Sequence, residues 1–268
     1  MPAGSVRAAL AEVLLSSAPA AESVGSRVSR IHQDLLARSP YIRTANFTAI
    51  HPGDLAFLFD AYDREFLGGL CRPALEGIPV GFRLSPRMTR AGGKTILYRL
   101  PSGGSKYEIA IAGSMLFDGF RENDRRITVC GLECRDRLEA LQRIFEHEMV
   151  HLGELLCWEK SDCTAARFQG IAARLFLHRA HTHDLITRKE RAAASGIRVG
   201  ARVAFHFDGR RLTGRVNRIT RRATVLVEDP DGVKHSDGVR YKIYYVPIAG
   251  LAVILEPPGD SEPPGPAA

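Results

Sequence analysis

Beyond about residue 190 the helical period of this chain is lost and only short alternating segments follow, and that change limits its folds more than any other feature. Upstream, apolar residues recur at helical spacing. Val24, Val28, Ile31, Leu35 and Leu36 mark a helix over 22–38, after a shorter one over 5–16. Leu55, Leu58, Phe59, Tyr62 and Phe66 mark another, opened by His51-Pro52-Gly53-Asp54 and closed by Gly68-Gly69. Leu138, Leu141, Phe145, Leu152 and Leu155/Leu156 form the stripe of a long helix over about 135–158. Phe168, Ile171, Ala172, Leu175 and Phe176 give one over about 164–178. Three alternating segments, 78–84, 95–100 and 106–112, read as strands of a sheet with one buried face. Downstream the pattern is short strands only: 203–207, 212–219, 223–229, 241–246 and 251–255, with turn-rich spacers.

This pattern predicts an α+β protein in two parts, the second a small antiparallel β-barrel. The expected boundaries are an N-terminal helical extension 1–50, a main domain 51–187, a linker 188–200, a barrel 201–255 and a disordered Pro/Gly tail 256–268. The hydrophobic share of 45% supplies enough apolar surface for real cores. No stretch approaches the roughly 18 consecutive apolar residues of a membrane span, so no membrane partner is expected. Residues 6–20 resemble an export signal only faintly, because Glu12 interrupts the apolar run. Five cysteines, an odd number in a chain of this length, argue against a disulfide framework and for a reducing cytoplasm. Cys130 and Cys134 stand as CxxxC without a second pair and read as buried free thiols.

His147-Glu148-Met149-Val150-His151 is an HExxH motif within the long helix. Positions i and i+4 share one helix face, so both imidazoles can converge on one zinc ion. Glu148 is placed to act as general base on a zinc-bound water and then to pass the proton to a leaving amine. At this composition the motif arises by chance only about 0.02 times per chain. A catalytic zinc takes three protein ligands and keeps one open position. The residues leave the third ligand open among Glu154, Cys163, His178, His181 and His183. Glu154 shares the straight helix with both histidines, which makes it awkward as a ligand and suited to a supporting role. Cys163 follows the polar break Glu159-Lys160-Ser161-Asp162, where the chain can turn back.

Several segments, in order, resemble the SprT-like family, to which Spartan proteases also belong. LFDAYDREFLGGL (58–70) is similar to the family's opening helix. VGFRLSPRMTRAGGKT (80–95) resembles its strand and "WSxRMTRxAG" turn. YEIAIAGSML (107–116) resembles the "RIxLSxxL" strand, IFEHEMVH (144–151) the metal helix, and Thr182-His183 a later "TH" element. The likeness covers about 52–185. It implies a zincin-like metalloprotease domain in which His147 and His151 bind Zn2+, Glu148 is catalytic and His183 is a candidate for polarising the substrate. One position departs: aligning Phe168 with the aromatic of the family's "HGxxF/W" element puts Thr164 where a histidine ligand belongs. The adjacent Cys163 is then the expected third ligand.

Charge divides the chain as the period does. Residues 186–255 hold 14 basic and 6 acidic residues, whereas residues 1–185 hold 23 and 21. GRVNRITRRATVLVED resembles the strand–turn–strand of Tudor and KOW-type barrels. Arg210, Arg211, Arg215, Arg218, Arg221 and Arg222 crowd this module, near Tyr241, Tyr244 and Tyr245. Phosphate contacts plus base stacking make nucleic acid the expected partner, bound without base-specific readout. The expected function is a zinc metallopeptidase acting on protein, with proteins crosslinked to DNA as the substrates the family likeness implies. The alternatives are a non-enzymatic binding protein with a structural or degenerate zinc site, and a zinc hydrolase of small substrates.

Overall fold

The computed structural model describes residues 3–88, 90–101, 103–122, 124–220 and 222–254. The chain divides into two compact units, Met1–Ile186 and Thr187–Ala268. In the first, α1 (Ala3–Ser16), α2 (Ala21–Arg38), α3 (Pro52–Phe66) and α4 (Cys71–Ala74) precede β1 (Val80–Leu84), β2 (Gly93–Arg99) and β3 (Ser105–Ile111). Then come α5 (Gly113–Asp118), β4 (Ile127–Val129), β5 (Leu132–Cys134), α6 (Arg137–Trp158) and α7 (Ala166–Phe176). The second unit holds α8 (Arg188–Ala194), β6 (Arg202–Phe207), β7 (Arg210–Ile219), β8 (Ala223–Lys234), β9 (Arg240–Val246), a 3-10 turn (Ile248–Gly250) and β10 (Ala252–Val253).

Helix α6 is the axis of the first unit. Asp136 caps it by accepting from the Glu139 amide at 2.9 Å, which satisfies a donor the first helical turn leaves unpaired. It ends at Glu159 in the left-handed region, φ 53°. Its expected stripe is buried except for the half-buried Leu155, and so are Ala140, Ile144, Met149, Val150 and Gly153, because α1, α2, α3, α4, α5, α7 and β2 all pack around it. The N-terminal helices are therefore part of this core and not an extension of it: Leu10 and Leu14 of α1 and Val24, Ile31 and Leu35 of α2 are buried in the same cluster. Several polar groups inside it are paired. Gln142 donates to the Val28 carbonyl at 3.0 Å, and the Tyr62 hydroxyl donates to Glu146 at 2.8 Å. Arg143 and His178 also bind the Glu146 carboxylate, so its charge is neutralised where burial would otherwise penalise it.

The three-stranded sheet has the order β1-β3-β2, with β1 parallel and β2 antiparallel to β3. Strand β2 is thus an edge, and it lies against α6. The hairpin β4–β5 turns on Cys130 and Gly131, both at positive φ (53° and 74°). A side chain at Gly131 would meet the Arg179 Cβ at 2.9 Å, because segment 178–184 lies against this turn.

In the second unit the expected linker is in part core: Ala192 of α8 and Ile197 pack with Val203, Phe205, Val216, Ala223, Val225 and Val246. The apolar period over these few residues is too short to show a helix in the sequence. The expected barrel needs a second correction. The strands form an open antiparallel sheet of order β10-β6-β7-β8-β9, with no ladder between β9 and β10 among the described residues. Closure requires the last strand to pair with both neighbours. Here Pro247 lacks a donor, the 3-10 turn redirects the chain, and only Ala252 and Val253 pair, with β6. Leu255, the tail 256–268, Arg221, and Thr89 of the RMTRAG segment lie outside the described residues.

Candidate metal centre

Helical spacing brings His147 and His151 together as expected: their Nε2 atoms face each other at 3.1 Å. Burial lowers the pKa of both, that of His147 to about 3, so both rings are neutral. Two neutral imidazoles cannot both donate across that gap, whereas one cation can accept a lone pair from each. Phe168 packs on both rings, with centroids at 4.7 and 4.5 Å, and limits their rotation.

Cys163 completes the group. The ligand atoms of His147, His151 and Cys163 all lie within 4.8 Å of one another. The turn after α6 puts the thiol there. Asp162 accepts from the Thr164 amide at 2.9 Å and the Thr164 hydroxyl at 2.7 Å, so Thr164, exposed, secures the turn that presents its neighbour. Burial raises the Cys163 pKa, and binding a metal would displace the proton.

Behind His151 runs a chain of hydrogen bonds. Arg167 donates to Glu154 at 2.6 Å, the Ser161 hydroxyl donates to Glu154 at 2.6 Å, and the Ser161 oxygen lies 2.7 Å from His151 Nδ1. Since the Ser161 proton is spent on Glu154, its oxygen accepts from Nδ1–H. That fixes the tautomer and leaves Nε2 as the free lone pair. Glu154, one of the five candidate ligands, is thus buried and committed to Ser161 and Arg167.

A different set surrounds the other edge of His147. Cys130 Sγ lies 3.8 Å from His147 Nδ1, and Cys130, His147 and His178 form a second group within ligand distance of one another. His178 binds Glu146 through Nε2 at 2.9 Å, while its Nδ1 has no partner. Burial raises the Cys130 thiol far above the range in which it ionises. The sequence presents Cys130 only as half of a CxxxC pair; its place beside His147 depends on the hairpin, which three-residue strands barely announce.

Glu148 points from α6 towards β2. The Thr95 hydroxyl donates to its carboxylate at 2.8 Å, and burial pushes its pKa up to about 8. The strand comes so close that a Cβ at Gly93 would sit 2.6 Å from Glu148 Oε1. This contact accounts for the second glycine of the AGG sequence. A cleft of about 610 Å³ opens over these groups, lined by residues 90–97 of the edge strand and the segment leading into it, by His147, Glu148, His151 and Cys163, and by His181–His183. His183 reaches the cleft because its segment is tied to the β4–β5 hairpin: the Cys130 amide donates to the Thr182 carbonyl at 2.8 Å, and the Asp184 amide to the Thr128 carbonyl at 3.0 Å. Burial lowers the His183 pKa, and its Nδ1 is buried without a partner. His181 stands on the rim, 3.5 Å from the Gln169 amide.

The arginines expected at a nucleic-acid surface do not all share one face. Cross-strand register sets Arg202, Arg215, Leu226 and Ile243 in one row, and Arg218, Thr224 and Tyr245 in the next. Arg211 pairs with His206 further along the same face. Arg210 pairs with Phe207 on the opposite face, and Arg222 sits in the β7–β8 turn. Tyr244 faces inward, 5.4 Å from Phe205. Arg202 is not among the expected residues, although alternation with the buried Val203 could have found it.

No protein-family model, no curated protein and no solved structure matches this chain. Among the described residues no helix is long and apolar enough to cross a membrane, and all five cysteines are free.

Proposed function

We propose that the first unit is a zinc-dependent metallopeptidase of the SprT-like, zincin kind. The observation that carries this reading is the convergence of His147, His151 and Cys163 beside a buried acid, within a cleft bounded by an edge strand. The donors suit zinc: two neutral nitrogens and one thiol, with an open side facing the cleft. When bound, zinc supplies Lewis acidity to a water and to the scissile carbonyl.

The chain's own residues do the rest. His147, His151 and Cys163 would hold the ion, and Ser161, itself bound to Glu154, keeps His151 in the tautomer this requires. Glu148, oriented by Thr95, takes a proton from the attacking water and delivers it to the leaving amine nitrogen. Strand β2 has one ladder in use, with β3, and offers the backbone groups of its other edge to an extended peptide. His183, which lines the same cleft beside Gly92, would polarise the scissile carbonyl and steady the oxyanion.

The non-enzymatic alternative rests on the histidine absent from position 164. A thiol one residue earlier, within reach of both histidines, supports the peptidase reading instead. The test is cleavage of an unfolded protein by the purified chain. Activity should vanish on chelation, return with one equivalent of zinc, and fall at least tenfold in zinc-limited Cys163→Ala. Cleavage indifferent to chelation would refute the reading.

A further inference from the structure

We propose that one face of the second unit's sheet is a stacking platform for single-stranded nucleic acid. Going beyond the peptidase reading, it needs none of the residues of the metal centre. The inner face of this sheet buries Val203, Phe205, Val216 and Val225. The outer face should then be polar, and on its β9 side it is not. Ile243 and Tyr245 are 43% and 66% exposed, side by side along β9 with Tyr241 two residues before.

Across the strands from these side chains stand guanidinium groups. Arg215 and Arg202 share the row of Ile243, and Arg218 shares the row of Tyr245. Neighbouring strands lie about 4.8 Å apart, so with Thr224 and Leu226 of β8 between them the cations of β7 stand about 10 Å across the face from Tyr245 and Ile243, within reach of the phosphates of a strand whose bases lie on β9. Among the described residues the acidic groups along β9 are already engaged or at its start: Glu228 stands opposite Tyr241, the Tyr241 hydroxyl binds Asp237 at 2.9 Å, and Asp229 pairs with Lys242 at 2.8 Å. The excess of 14 basic over 6 acidic residues in 186–255 makes the occupant a polyanion. The exposed aromatic edge makes it one with unpaired bases, since a duplex hides its π-faces and offers phosphates alone.

The experiment is fluorescence anisotropy of the full-length protein with a labelled mixed-sequence single strand of about 15 nucleotides, as DNA and as RNA, over a salt series. Affinity should fall log-linearly with salt, and Arg215→Ala with Arg218→Ala should flatten that slope by about 0.7 for each phosphate no longer neutralised. Tyr245→Ala should weaken binding about tenfold with the slope unchanged. Arg210→Ala, on the other face, should change neither. Thermal melts check that each variant folds, and Tyr245→Leu keeps an apolar surface while removing the ring. A preference for DNA or RNA identifies the source of the strand. Equal affinity for duplex, equal affinity for heparin with no effect of Tyr245→Ala, or an Arg210→Ala loss as large as the Arg215 and Arg218 loss would each overturn the platform. Chelation and Glu148→Gln should leave binding unchanged, so failure of the peptidase reading and failure of this one are separate results.

Discussion

Ser161 shows how much of the proposed metal centre lies outside its candidate ligands. Its hydroxyl joins the buried Glu154 to His151 Nδ1 through contacts of 2.6 and 2.7 Å. Removing it leaves His151 free to adopt the other tautomer and leaves one Glu154 oxygen without its donor. Ser161→Ala should therefore weaken zinc binding roughly 10–100-fold, measured by competition with a chromophoric chelator; an unchanged affinity would remove Ser161 from the centre. His147, Glu148 and His151 are legible in the sequence because i,i+4 geometry is local. Ser161 is not, since a lone serine after a helix carries no period. Cys163 is legible only as the neighbour of a departure, and the Asp162–Thr164 turn explains why the departure falls there.

At the scale of elements, α6 owes its position to the helices around it. Leu14 of α1 is fully buried, and a Cβ at Gly153 of α6 would meet its side chain at 3.0 Å. Leu14→Ala opens a cavity against the metal helix and should cost about 2–5 kcal/mol in chemical denaturation; a cost below about 0.5 kcal/mol would make α1 the appendage that the sequence suggests. The long helices are readable because each repeats its apolar stripe over several turns. Strands β4 and β5, three residues each, repeat too little to be seen. The parallel pairing of β1 with β3 depends on contacts distant in sequence, and the open end of the second sheet on what Pro247 and the turn after it do to the last strand. Evenly spaced strands announce a sheet; they do not decide whether it closes.

The whole molecule joins two compact units, the boundary falling between Ile186 and Thr187, and the proposals give them different chemistry. The single tryptophan, Trp158, ends α6 and packs under the Arg167 guanidinium at 4.2 Å, so its fluorescence reports the first unit alone. A ligand that binds only the folded state stabilises it. Chelation should lower the thermal transition seen by Trp158 by several degrees and leave the far-ultraviolet signal of the second unit's sheet in place; a single transition moved as a whole would show that the units unfold together. The proposed peptide hydrolysis stands on one carboxylate. Glu148 lies beside the proposed zinc ligands without being one of them, so Glu148→Gln should retain about one zinc per chain and the wild-type fold. The most direct measurement is the rate at which this zinc-loaded variant cleaves an unfolded protein. We expect a loss of at least 100-fold, the lower range for a missing general base. A Glu148→Gln protein that cleaves as fast as the wild type would contradict the account.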